Sequence, residues 1–365
     1  MASLYLIATD HGYGHAARSL HLLRTLMESG VIGRATVNTT MPPELVRSIV
    51  GGSVGIRNAP IDSGVVQSDA VTMDPAKTLK RLREIQGSAP QLIEREARFV
   101  ADHRFDLILA DIPYLAPAIG RASSVPVVSM GNFGWDFIYR ELGAEFTPYA
   151  DWIRGLYGES ELLLRLPFHE EMVAFPRRID VDLVGGRPAI SRAGVIERLN
   201  LDVDVPAYLI TFGGLGFQSF PFEKVAAFDG KRLPRRSFIT YGETHGIPNL
   251  IRAPEDLRPV DIMQACAGVI TKPGYGILAE ALYTDCPVYA IERSGFAETP
   301  ILERAIREQF RHRFITNAEF FEGGWGFLCE DPLEPEGSVW IERNGNERCV
   351  EIIRKMIINR QDMIL

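Results

Sequence analysis

Apolar residues along this chain fall in short runs that end in glycine-rich turns and give way to segments with helical spacing. Leu4-Tyr5-Leu6-Ile7-Ala8 is one such run; Thr9-Asp10-His11-Gly12-Tyr13-Gly14 closes it, and Leu20, Leu23 and Met27 then recur on one helical face. The pattern predicts a strand, a glycine loop and a helix. Further strands are expected at 35–39, 54–57, 107–110 and 125–130, separated by segments such as 75–103 that read as helical. Alternation of this kind implies a parallel sheet covered by helices on both faces.

Around 180–188 the pattern loosens, and it restarts with Ala207-Tyr208-Leu209-Ile210-Thr211 followed by Phe212-Gly213-Gly214-Leu215-Gly216. Later strands are expected at 236–241, 268–271 and 287–291, with a helix over 275–283. A last helix over 346–358 carries Val350, Ile353 and Ile357 on one face. The expected organisation is an α/β chain of two Rossmann-like domains, 1–185 and 186–345, with 346–365 as a terminal helix. Ligands of open parallel sheets bind beyond the carboxyl ends of the strands, so two such domains would present their loops around one cleft.

The length of 365 residues suits two domains rather than one. With 39 basic against 47 acidic residues, a net charge of -8 disfavours nucleic acid and anionic lipid as partners, while leaving room for a local phosphate pocket. No apolar run approaches the roughly 20 residues needed to span a bilayer, and no basic residue precedes the first apolar stretch, so neither a membrane span nor a signal peptide is expected. Cys266, Cys286, Cys329 and Cys349 form no C-x-x-C pair and read as buried free thiols of a cytoplasmic protein, with no metal site.

The first candidate site is the loop His11-Gly12-Tyr13-Gly14-His15, where Gly12 and Gly14 let backbone N–H groups approach an anion or a sugar. Its spacing is not G-x-G-x-x-G, which leaves a dinucleotide fingerprint unsupported. His15 opens the helix, and that position disfavours its protonated form. The loop also reads as a plain helix cap with an incidental histidine. Asp111, at the carboxyl end of the strand formed by Leu107-Ile108-Leu109-Ala110, suits either a carboxylate that orients a histidine base or the cap of the next helix. His11 is the rival base in the same loop.

The richest run is Thr271-Lys272-Pro273-Gly274-Tyr275-Gly276, which delivers a strand to a helix start. Free N–H groups there, with the Lys272 ammonium, would hold a pyrophosphate without a metal. Glu280, inside that helix and flanked by Ala279, Ala281 and Leu282, could accept the two hydroxyls of a ribose, or could be a solvated helix residue. Gly213 and Gly214 are further candidates for the diphosphate. Asn132, Trp135 and Asp136 follow a strand and suit either acceptor binding or buried packing. Glu298 suits either sugar hydroxyls or an acidic helix start.

With these residues in view the sequence resembles GT-B glycosyltransferases, and more narrowly the glycosyltransferase-like N-terminal domain of plant L-arabinokinases. The resemblance spans nearly the whole chain. It rests on His-Gly-Tyr-Gly-His-Ala-Ala-Arg at 11–18, Asp62-Ser63-Gly64-Val65-Val66-Gln67-Ser68-Asp69-Ala70, Asn132-Phe133-Gly134-Trp135-Asp136-Phe137-Ile138-Tyr139, Leu164-Arg165-Leu166-Pro167, and 272–282. More distantly it reaches the UDP-sugar-dependent plant glucosyltransferases and the bacterial transferase that adds N-acetylglucosamine to the peptidoglycan lipid precursor. It implies His15 as base, Asp111 as its orienting carboxylate, Glu280 on the donor side, Glu298 reading the donor sugar, and a terminal helix that crosses back to the first domain.

The departures also carry information. The plant families have a long donor signature with a tryptophan, a histidine and a terminal Asp-Gln, where this chain has Gly274, Gly276, Glu280 and Glu298 at comparable places. Retaining GT-B enzymes often carry two glutamates eight apart, whereas the position eight before Glu280 is Lys272, which favours inversion. The resemblance therefore implies an inverting, metal-independent transferase with a nucleotide-sugar substrate, a UDP-sugar by its distant relatives, and no bound cofactor. The similarity to a domain fused to a kinase equally suits a catalytically silent nucleotide-sugar sensor, and a GT-B epimerase is a third possibility.

Overall fold

The computed structural model describes residues 1–52, 54–66, 73–212, 221–293 and 295–364, with side chains through 358. The chain forms two compact units. One comprises the described residues up to Gly185 together with those from Ile341 onward; the other is Gly186–Trp340.

The first unit is built on a parallel sheet of seven strands: β1 (Ala2–Ala8), β2 (Ile32–Asn38), β3 (Gly55–Arg57), β4 (Leu107–Asp111), β5 (Val127–Gly131), β6 (Leu162–Arg165) and β7 (Arg178–Asp180). Their order is β3-β2-β1-β4-β5-β6-β7, so the direction of winding reverses at β1. The register pairs Ala8 with Asp111, which brings the ends of β1 and β4 together at the switch point where open α/β sheets place their ligands. β1 and β4 are buried along their whole length, hence their mainly apolar character, with Ser3 and Asp111 as the polar exceptions.

The second unit repeats the plan with six parallel strands: β8 (Ala207–Ile210), β9 (Ser237–Thr240), β10 (Leu250–Arg252), β11 (Gly268–Thr271), β12 (Val288–Ile291) and β13 (His312–Ile315). In the order β10-β9-β8-β11-β12-β13, β8 and β11 flank the reversal. The expected strands are present, and four more, β6, β7, β10 and β13, extend the sheets.

The helix Gly14–Glu28 seals one face of the first sheet with Leu20, Leu22, Leu23 and Leu26. The helix Pro75–Asp102 runs through Pro90 without ending, and Asp74 caps its start by accepting from the Lys77 amide. The terminal helix Gly345–Ile364 packs on the helix Gly14–Glu28, and its Cys349, Val350 and Ile353 belong to the first unit's core. Asn346 anchors it: its side chain donates to the Gly185 carbonyl at 3.0 Å and accepts from the Gly185 amide at 3.2 Å. Gly345 is required there, because a Cβ would stand 2.3 Å from the Asp182 carbonyl oxygen. The expectation of four buried thiols needs correction. Cys286 and Cys349 are buried, but Cys266 is half-buried and Cys329 is exposed because it ends a short surface turn.

Candidate active site

In the first unit the chain leaves β1 at Thr9 and enters the helix at Gly14. Gly12 makes the turn with φ of +66°, a left-handed conformation that disfavours a side chain. Gly14 has ordinary backbone and open space where a Cβ would stand. His15 is thereby set in the first helical turn, its ring folded inward beside β4.

There Nδ1 of His15 lies 2.8 Å from Oδ1 of Asp111, across 96 residues of chain. Asp111 is fully buried and saturated with donors: Arg18 Nε reaches its Oδ2 at 2.7 Å, Arg18 Nη2 its Oδ1 at 2.6 Å, and the Ser19 hydroxyl its Oδ2 at 2.7 Å. Burial alone would raise the Asp111 pKa, but the Arg18 charge, His15 and their hydrogen bonds outweigh it and hold the carboxyl well below its ordinary range. For His15, burial is the largest influence and lowers its pKa; Asp111 opposes this and Arg18 reinforces it. The result is a neutral imidazole held against a carboxylate.

Three further loops close around this pair. Asn132 follows β5; its amide oxygen accepts from Arg18 Nη1 and its amide nitrogen donates to the Pro167 carbonyl. Phe133 sets its ring edge-on to His15, with centroids 5.8 Å apart. Trp135 is almost wholly buried, edge-on to His11 at 5.1 Å, and its indole N–H donates to the Thr9 hydroxyl at 3.0 Å. Thr9 in turn donates to Asp62, whose other oxygen accepts from the Asp10 amide at 2.9 Å. Burial pushes the Asp62 carboxyl up to about 7, against the Thr9 and Asp10 hydrogen bonds that lower it. Asp136 is also buried; its Oδ1 has no hydrogen-bond partner among the described residues, and burial raises its pKa.

Of the residues expected in this unit, His15, Asp111 and Asn132 thus share one hydrogen-bonded network, while His11 and Trp135 form a neighbouring aromatic contact. Thr9, Arg18 and Asp62 were quoted only within their sequence runs, with no role at the site, and Ser19 was not singled out. Arg18 lies on the same helical face as His15, three residues on, and that spacing was the available signal.

The second unit carries the other candidates. β11 ends at the buried Thr271, and the chain passes through Lys272 and Pro273 to Gly274, which caps the helix Tyr275–Thr284 without any side-chain hydrogen bond. Gly274 and Gly276 have open space where a Cβ would stand. Glu280 is partly buried in that helix; burial raises its carboxyl to about 7, with Arg258 opposing and Asp261 adding to the rise.

Glu298 stands beside the same turn. Arg293 Nη1 donates to the Pro273 carbonyl at 3.2 Å and to Glu298 Oε1 at 3.4 Å, and its guanidinium carbon lies 3.5 Å over the Phe296 ring. Burial raises the Glu298 pKa, while Arg293 and Lys272 pull it down, so Lys272 and Glu298 sense each other's charge. Arg293 was also missed by the sequence reading. Gly213 and Gly214 lie outside the described residues, as do positions 67–70 of the segment beginning at Asp62. Among the described residues no three His, Cys, Asp or Glu side chains group as metal ligands, and no helix is long and apolar enough to cross a membrane.

Two Rossmann-like parallel sheets, with the terminal helix returned to the first, define a GT-B fold, the architecture of glycosyltransferases. Among solved structures the chain is similar to the glycosyltransferase SnogD from Streptomyces nogalater, with a TM-score of 0.59, 16% identity, and coverage of 98% of this chain and 95% of that one. It is also similar to Arabidopsis thaliana UGT89C1 complexed with UDP-L-rhamnose (TM-score 0.59, 14% identity, 98% and 99% coverage) and to Acinetobacter baumannii MurG (TM-score 0.53, 13% identity, 97% and 100% coverage). In sequence it is 28% identical over 377 residues to the L-arabinokinase of Arabidopsis thaliana, across 96% of this chain. The chain spans only 34% of that relative's length. No protein-family model matches the chain.

Proposed function

We propose that this chain transfers a sugar from a nucleotide-diphosphate donor, a UDP-sugar, to an acceptor hydroxyl, with inversion and without a metal. The observation that carries the reading is the contact of His15 Nδ1 with Asp111 Oδ1 at 2.8 Å, buried at the switch point of the first sheet. With Nδ1–H donated to the carboxylate, Nε2 keeps a lone pair and takes the acceptor's proton. The acceptor oxygen then bonds to the anomeric carbon as the bond from that carbon to the diphosphate oxygen breaks, and the nucleotide diphosphate leaves with the electron pair. The structure of UGT89C1 with UDP-L-rhamnose supports the choice of donor.

In this reading the second unit holds the donor. The N–H groups at Gly274, Tyr275 and Gly276, with Lys272 and the end of β11 at Thr271, meet the charge that grows on the leaving diphosphate. Gly213 and Gly214 serve the same group. Glu280 accepts from the ribose, and Glu298 accepts from hydroxyls of the transferred sugar; Gly12 and Gly14 are also assigned to the sugar. Asn132, Trp135 and Asp136, being buried, act on the acceptor through the loop they brace. The test is turnover of a panel of nucleotide sugars with and without added acceptors. Acceptor-dependent release of the nucleotide diphosphate, lost in His15→Ala, is expected; nucleotide binding with no turnover would refute transfer.

A second reading, a silent nucleotide-sugar-binding module, is favoured by one observation. Arg18 Nη2 stands 3.0 Å from His15 Nδ1, and a ring that accepted from Arg18 there would carry its proton on Nε2 and could not act as base. The same turnover panel separates the two.

A further inference from the structure

His15 Nδ1 faces an acceptor, Asp111 Oδ1 at 2.8 Å, and a donor, Arg18 Nη2 at 3.0 Å. One protonation state cannot satisfy both. The carboxylate is nearer and anionic, and Arg18 turns one N–H of Nη2 to Oδ1 at 2.6 Å and its Nε–H to Oδ2 at 2.7 Å, a two-point fork. Its third nitrogen, Nη1, donates to Asn132. Ser19 fills Oδ2 from the same helix. The carboxylate is thus fixed in rotation, with Oδ1 directed at the imidazole, and the helix carrying His15 is tied to the loop after β5.

We propose that Arg18 is the positioning residue of the His15–Asp111 pair: its fork aims the carboxylate so that Nδ1 carries the proton, and its charge neutralises Asp111 so that the imidazole stays uncharged. The proposal deepens the reading of His15 as the base and rests on it for its catalytic meaning. The physical reason is charge balance among buried groups. A buried carboxylate demands a cation. With Arg18 present the demand is met, and the ring is free to begin the reaction neutral. Without it the one remaining partner able to become cationic is His15, which would bind a proton and lose its capacity as a base. The charged groups acting on the ring are Asp111 from β4 and Arg18 from its own helix; Phe133 and the Ser19 hydroxyl are the uncharged neighbours.

The experiment is nitrogen NMR of the His15 ring in the full chain, assigned by comparison with His15→Ala, alongside the pH dependence of kcat/KM. Wild type should show the Nδ1–H tautomer. Arg18→Met should raise the His15 pKa by at least about one unit and move the acid limb of the rate profile upward by the same amount. Arg18→Lys keeps the charge and loses the fork, so its ring should titrate near wild type while kcat falls. An Nε2–H tautomer in wild type, or an unchanged His15 titration in Arg18→Met, overturns the proposal. If Arg18→Met does not fold, the wild-type tautomer and the Lys variant still decide. A shifted titration beside full turnover in His15→Ala would sustain the coupling and sink the base assignment instead.

Discussion

Gly64 sits so close to His11 that a Cβ on it would stand 2.3 Å from the imidazole Nδ1 and 2.6 Å from the Trp135 ring. The backbone of Gly64 donates to the Asp10 carbonyl at 3.3 Å, so three loops at the end of the first sheet depend on this one missing side chain. The contact bears on which histidine is the base, because it confines His11 and does not touch His15.

Gly64→Ala should therefore displace His11 and Trp135. The strain of overpacking is about 1–3 kcal/mol, read as a lower melting temperature. Turnover by the folded fraction should fall less than tenfold. If turnover instead collapses while the melting temperature holds, and His11→Ala is inactive as well, His11 is the catalytic group.

Asp62 gives a pH dependence of stability. Its folded pKa of about 7 lies above the unfolded value of about 3.9, so between these limits the folded state holds a proton that the unfolded chain has released. Stability should then fall as pH rises through that window, by about 1.4 kcal/mol per unit for this group, and level off above it. Asp62→Asn keeps the shape and removes the charge. Urea titrations at pH 5 and pH 8 should show its advantage over wild type growing with pH; a constant difference would mean that Asp62 is ionised throughout.

Glu280 offers a pH test of the donor site. Its carboxyl, raised to about 7 by burial, is protonated below that pH and cannot accept both ribose hydroxyls. Nucleotide affinity should rise with pH through 7. Glu280→Gln should bind about ten- to a hundredfold more weakly at pH 8, with the dependence flattened. Equal calorimetric affinities for the two proteins would remove Glu280 from the ribose.

Both strand–glycine loop–helix units were legible in the sequence because β1 and β11 are buried, mainly apolar and followed by glycine turns, which are strong local signals. β7 was not, being three residues long at the sheet edge with Arg178 and Asp180 exposed, a pattern indistinguishable from a loop. β6 is only four residues long and ends in the half-buried Arg165. The His15–Asp111 pair could be proposed from position, since each stands at the end of a strand or the start of a helix at the sheet's edge. Arg18 offered only its three-residue spacing from His15, because a basic residue in a helix reads as solvated until the burial of Asp111 beside it is known. Asp62 and Thr9 lie in loops without periodicity; only the adjacency of β1 to β2, and of β2 to β3, brings them together.

The central claim, that His15 removes the acceptor's proton, is tested most directly by the turnover of His15→Ala measured beside its nucleotide affinity. Turnover should fall by about 10²–10⁴-fold with affinity near wild type, since the residues proposed for the donor belong to the other unit. Asp111→Asn should be impaired too, and the double variant should be little worse than His15→Ala. An unimpaired His15→Ala enzyme, above all beside an inactive His11→Ala one, would contradict the account.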